Sequence, residues 1–186
     1  MPELIQPRTD RLLLRQWRKE DREPFSRLNG DPVAMEFFPK TLSRSESDAI
    51  AEKCEALIAE RGWGFWAVEL LGSGEFIGFV GLHTPSADLP CSPCVEVGWR
   101  LLKPYWGRGF ATEAARESLR VGFELLGLSE IVSFTTVGNL RSRAVMERLN
   151  MTPDRKTFDH PEAPEESGLR EHCLYRLAKE TWALAQ

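Results

Sequence analysis

Between Tyr105 and Ala114 the segment Trp106-Gly107-Arg108-Gly109-Phe110 joins an alternating apolar stretch to a helical one, and no other part of the chain limits its architecture as much. Two glycines let the backbone approach a ligand closely, and a helix that starts there aims unsatisfied N–H groups and a partial positive charge at it. That is a site for a pyrophosphate, with Trp106, Gly107, Arg108, Gly109, Phe110, Ala111 and Thr112 as candidate cofactor-binding residues. The third glycine of a dinucleotide fingerprint is missing, and no Gly-Lys-Ser/Thr follows as in a nucleotide P-loop. A phosphate-bearing cofactor of another kind is therefore expected.

The flanks fix the local structure. Val95 to Leu101 alternates at period two, as a strand with one buried face does, and Gly98 within it marks a bulge or a close approach. After the turn, Ala111, Ala114, Ala115, Ser118, Leu119, Gly122, Phe123 and Leu126 share one helical face, small at the start and large at the end. Such a helix lies close to the sheet where the cofactor enters.

At 186 residues and 42% hydrophobic composition the chain suits one domain, 1–186, with one core. A net charge of −4 with scattered basic residues gives no footprint for nucleic acid. No apolar run reaches membrane-spanning length, and the first ten residues lack a secretory segment, so no membrane and a cytoplasmic location are expected. Cys91 and Cys94 have the spacing of a metal or redox pair, but Cys54, Cys173 and the three histidines offer no second paired spacing. No metal site is expected.

Arg11–Arg15 reads as a first strand, Arg18–Leu28 as a short helix, and Ser43–Arg61 as a longer one. A capping box of Ser43 and Glu46 opens that longer helix, Gly62 closes it, and Ile50, Cys54, Leu57 and Ile58 form its expected inner face. Gly64–Leu70 and Phe76–Leu82, joined by Gly-Ser-Gly, read as an antiparallel hairpin. Glu130–Thr136 is a strand, Asn139–Leu149 a helix, Asp159–Glu166 an exposed acidic loop and Leu169–Leu177 a last strand. The order predicts a mixed α/β sheet with helices on its faces.

Thr9-Asp10-Arg11-Leu12-Leu13-Leu14-Arg15 with Asp21, Glu96-Val97-Gly98-Trp99 leading into the glycine turn, and Asn139-Leu140-Arg141-Ser142 resemble, in order, segments of the GCN5-related N-acetyltransferases (GNAT). The similarity is to the branch of the ribosomal-protein N-terminal acetyltransferases, and it covers nearly the whole chain. It implies a mixed, mostly antiparallel central sheet of six to seven strands with helices on both faces. It also implies acetyl-CoA as co-substrate and transfer of its acetyl group to an amine. The chain departs from the family at Trp106, where Gln or Arg is common, and at Met146, where many members carry a tyrosine proposed to protonate the leaving thiolate. Asn150-Met151 replaces a Gly-Phe pair, and asparagine still suits a left-handed cap.

Acetyl transfer needs a neutral amine, a donor for the developing oxyanion and a proton for the leaving sulfur. Glu96 is the first candidate base and His83 the second, an N–H freed near Val97 or Gly98 is the oxyanion donor, and Ser142 is the candidate acid. Asn139 suits both the pantetheine arm and a helix N-cap. Met35-Glu36-Phe37-Phe38, Trp63, Phe65, Trp66, His83 and Trp99 form the expected acceptor cleft, with Glu36, Phe37, His83 and Trp99 as substrate-binding residues. The acceptor is left open between a protein N-terminus and a small-molecule amine, and a homodimer is left open as well. The alternative from another class is a catalytically silent acyl-CoA-binding sensor or interaction module.

Overall fold

The structure is a computed structural model describing residues 2–184, so both ends of the expected 1–186 domain lie outside the described residues. Among the described residues eight strands form one sheet. They are β1 (Leu12–Arg15), β2 (Phe65–Leu70), β3 (Phe76–His83), β4 (Glu96–Leu101), β5 (Glu130–Thr136), two-residue β6 (Thr152–Pro153) and β7 (Phe158–Asp159), and β8 (Glu171–Ala178). The spatial order is β1-β2-β3-β4-β5-β8-β6, with β7 also on β8. Every pairing is antiparallel except β4 with β5. The short β6 and β7 are the strands absent from the expected six or seven.

Helices α1 (Arg22–Gly30) and α2 (Arg44–Arg61) cover one face of the sheet, where Phe25 of α1 meets Phe79 edge to face at 5.8 Å. Helix α3 (Phe110–Arg120), continued by a π-helical turn to Leu125, packs on β3 and β4, and α4 (Leu140–Arg148) packs on β5. A last short helix, α5 (Lys179–Leu184), was not foreseen from the sequence; its Trp182 meets Phe123. No helix among the described residues is long and apolar enough to cross a membrane.

Local signals hold where local forces decide. Ser43 and Glu46 form the capping box of α2, Gly62 ends it at φ 84°, and Asn150 caps α4 from the left-handed region at φ 60°. The inner face of α2 differs from expectation. Ser47, Ala51, Cys54 and Ile58 are buried there, whereas Ile50 is exposed and Leu57 half-buried. The small Ser47 accepts a hydrogen bond from the buried Asn29 at 2.9 Å, which rotates the contact stripe toward α1.

The opening motif is structural. Arg15 and Asp21, both about 97% buried, form a bidentate pair at 2.7 and 2.8 Å, and Glu69 takes the Arg15 Nε at 2.6 Å. Removing one partner of such a buried pair costs roughly 3–5 kcal/mol.

Candidate acetyl-transfer site

The sheet opens beside β4. Six register pairs join β3 to β4 and seven join β5 to β8, but β4 and β5 share only Glu96↔Val132. Beyond that pair the parallel strands part, and the wedge between them opens toward the N-termini of α3 and α4.

The β3–β4 register is continuous, so the bulge expected at Gly98 is absent; the irregularity lies at Val68/Glu69 on β2. The correction moves the free backbone amide. The Val132 N–H donates to Val95 O and the Ser133 hydroxyl to Val97 O, whereas Leu102 N–H donates to Ile77 O of β3. Alternation therefore turns the even residues of β4, Gly98 included, toward β3 and the odd ones toward β5. Trp99 is the first residue whose backbone faces the wedge beyond the last paired position.

At one mouth of the wedge lies the glycine turn. Gly107 and Gly109 have φ of 69° and 81°, and Gly109 caps α3 with no side chain on the first amides. The Glu113 N–H is the first of the helix to find its Gly109 carbonyl. The amides of Phe110, Ala111 and Thr112 are thus free of intrahelical acceptors, and open space surrounds Gly107. This cradle fits a pyrophosphate. Phe110 contributes backbone only, because its ring is buried in the core. The exposed Arg108 guanidinium, 5.0 Å from that ring, is without a carboxylate partner among the described residues.

Sequence reasoning missed what holds the turn in shape. Glu113 accepts from Thr9 Oγ1 at 2.6 Å and from Arg11 Nε at 2.7 Å, and Arg11 Nη1 donates to the Arg108 carbonyl at 3.2 Å. The opening Thr9-Asp10-Arg11 segment thereby clamps the cofactor turn to the start of β1. The signal available was an acidic residue in the first helical turn with basic and hydroxyl partners far away in the chain. Arg11→Ala is expected to weaken CoA binding about ten-fold, because the one bond it makes to the turn's own backbone, at the Arg108 carbonyl, is lost, and calorimetry measures it. Unchanged affinity would leave the glycines alone responsible for the turn.

At the other mouth Asn139 is the N-cap of α4, its Oδ1 accepting from the Ser142 N–H at 3.2 Å. Its Nδ2 donates to Ser142 Oγ at 3.1 Å and to Thr135 Oγ1 at 2.9 Å. Ser142 Oγ therefore accepts one bond and keeps its own proton to give. Met146 is buried in the core, away from the role of a proton donor.

The expected acceptor cleft divides. Glu36 pairs with Arg141 at 2.7 Å, and that guanidinium lies 5.5 Å from the Phe37 ring and 4.7 Å from the Trp106 ring. Glu36 and Phe37 thus belong to a bridge between the cofactor turn and α4, and the carboxylate meant to attract an amine is already matched. Trp66 is core, and Trp99, opposite Val80, points its side chain to the α3 face. On the other face His83 stands opposite Glu96, and Phe65 stacks on His83 at 5.1 Å while covering Gly98. Burial pushes the Glu96 carboxyl up to about 8, with no hydrogen bond or charge offsetting it. Burial, helped by Lys53 and Arg61, lowers the His83 imidazole, keeping it neutral.

A family model of the acetyltransferase (GNAT) domain matches residues 11–152. The chain belongs to the GNAT family. An FsC-acetyl coenzyme A-N(2)-transacetylase of Aspergillus fumigatus is 31% identical over 176 residues, 90% of this chain and 73% of that protein. A putative ribosomal N-acetyltransferase, YdaF of Bacillus subtilis, is 32% identical over 90 residues, 48% of each chain. A GNAT acetyltransferase crystal structure from Bacillus anthracis has the same fold, with a TM-score of 0.78 at 22% identity over 95% of this chain and 99% of that one. The protein is an N-acetyltransferase, and the family's acetyl-CoA fits the cradle at α3. Cys91 and Cys94 lie 2.8 Å apart at their sulfurs in the loop before β4, and no metal-binding group of His, Cys, Asp or Glu occurs among the described residues.

Proposed function

We propose that the protein transfers an acetyl group directly from acetyl-CoA to a primary amine of a small molecule or a protein N-terminus, with Glu96 as the base. The observation that carries this reading is a half-buried carboxyl, pushed up to about 8 by desolvation, at the pair beyond which β4 and β5 part. A base of that strength suits an alkyl amine, whose pKa near ~10.4 leaves it mostly charged at neutral pH. A silent acyl-CoA binder has no use for a half-buried carboxyl whose proton affinity is raised into the range of a base.

Acetyl-CoA supplies an activated acyl carbon when bound. The α3 amides, with Gly107 and Gly109, hold the pyrophosphate, and Asn139 lies where the wedge meets α4. The Trp99 N–H donates to the thioester oxygen as charge develops there. Glu96 takes the amine proton through water as the new C–N bond forms and the C–S bond breaks. Ser142 returns a proton to the sulfur, directly or through water. The cysteines lie outside the cradle and α4, which supports transfer without an acyl-enzyme.

Incubation with acetyl-CoA and a panel of amines, following free thiol and the mass of the product, tests the reading. Amine-independent thiol release or none at all would return it to the silent binder. Ser142→Ala is expected to lower kcat by roughly a hundred-fold with little change in CoA affinity, the small end of the range for a positioned acid, because a thiolate leaves readily. A wild-type kcat in that variant would assign the proton to solvent.

A further inference from the structure

Behind His83 the structure holds a cavity of about 170 Å³, walled by Ile50, Cys54, Leu57, Trp63 and Phe65 with Lys53 and Arg61 at its rim. A void of similar size lined by apolar side chains holds a benzene ring. His83, one of its lining residues, is the cross-strand neighbour of Glu96, so the cavity and the proposed base are separated by that one side chain.

The charges around it form a pattern. Helices α1 and α2 carry five cationic side chains, and Arg22, Arg27 and Arg44 are each within 4.0 Å of a carboxylate. Lys53 and Arg61, the two at the cavity, have no such partner among the described residues. Arg100 adds to the positive potential from beneath, close to Cys54, with a buried Nε lacking any hydrogen-bond partner and only Asn29 Oδ1, at 2.6 Å, on its Nη1. The field of Lys53 and Arg61 reaches His83, where it disfavours a second positive charge. Apolar walls with an unmatched cationic rim complement an apolar body that ends in an anion.

We infer that this cavity receives the acceptor, and that the acceptor is a primary amine on a ring-sized apolar body ending in a carboxylate. The amine lies toward His83 and Glu96, and the carboxylate meets Lys53 and Arg61. The inference deepens the proposed acetyl transfer and rests on it for the amine, while the anion site stands on the cavity alone.

The full-length protein is titrated by calorimetry with 4-methylbenzoate and 4-methylbenzamide, and acetylation is followed with 4-(aminomethyl)benzoate, its carboxamide and benzylamine. The benzoate is expected to bind roughly ten-fold more tightly than the amide, and the carboxylate amine to have a kcat/KM higher by a similar factor. Both preferences should collapse toward one in the Lys53→Ala, Arg61→Ala double variant and reverse in Ile50→Glu, each an exposed position whose change leaves the core intact. Equal binding of benzoate and benzamide, or a preference that survives the double variant, overturns the anion site. Carboxylate binding that depends on the two cations, without acetylation of any amine, keeps the site and overturns the transferase reading. Acetylation confined to benzylamine and the carboxamide keeps the transferase and overturns the acceptor class.

Discussion

Gly109→Val is expected to reduce CoA affinity by about a hundred-fold or more while the protein stays folded. Gly109 holds φ at 81°, a region closed to a β-branched residue, and its added side chain would first meet Arg11 Nη2 at 3.5 Å. The penalty is therefore backbone strain rather than collision, of order 1–3 kcal/mol. A domain with the usual stability of about 5–15 kcal/mol survives that. The strain is relieved by rotating the peptide planes that aim the first α3 amides at the pyrophosphate, and each misaimed charge-assisted bond costs affinity. Gly127→Val is the control, because it sits at φ 70° in open space beyond the far end of α3. It should lose similar stability and bind CoA normally. Calorimetry on both variants, with Tm alongside, separates the effects; equal affinities would remove the turn from the site.

How much was legible in the sequence follows the range of the forces involved. The left-handed glycines of the turn, the capping box of Ser43 and Glu46 and the left-handed Asn150 are settled within a few residues and found where the pattern put them, whereas the Thr9 and Arg11 clamp on that turn comes from about a hundred residues away. The wedge is not local. It exists because β5 turns away from β4 after Val132 and keeps its full pairing with β8, which nothing in Val95–Leu101 encodes. Gly98 suggested a bulge, yet its role is to admit the Phe65 ring, 3.1 Å from where a Cβ would sit. The inner face of α2 was misjudged for a related reason: the helical period fixes the spacing of a stripe, and Asn29 on α1 decides its phase through Ser47. Ile50 and Leu57, expected in the core, line the cavity instead.

Glu96→Gln is expected to lower activity at neutral pH by roughly a hundred-fold, the scale of a positioned base, with the amide filling the same space. The pH dependence distinguishes a base from a structural group. A carboxyl raised to about 8 is mostly protonated at neutral pH, so wild-type kcat/KM should climb as pH passes through about 8 and Glu96 ionises. The variant lacks that titration, and its activity should rise only as solvent and the acceptor's own ionisation supply neutral amine, narrowing the gap at alkaline pH. Stability should move the opposite way. Because the folded-state pKa lies above the usual carboxylate value, folding loses stability from Glu96 as pH rises from about 4.5 toward 8, the unfolded chain ionising first. Glutamine escapes this loss, so the variant should match wild type in acid and exceed its Tm above pH 8. A carboxylate held for a structural ion pair would give the reverse, a variant less stable at neutral pH. Parallel activity profiles with no relative gain at high pH would pass the role of base to His83, the neutral imidazole across the strand, or to solvent.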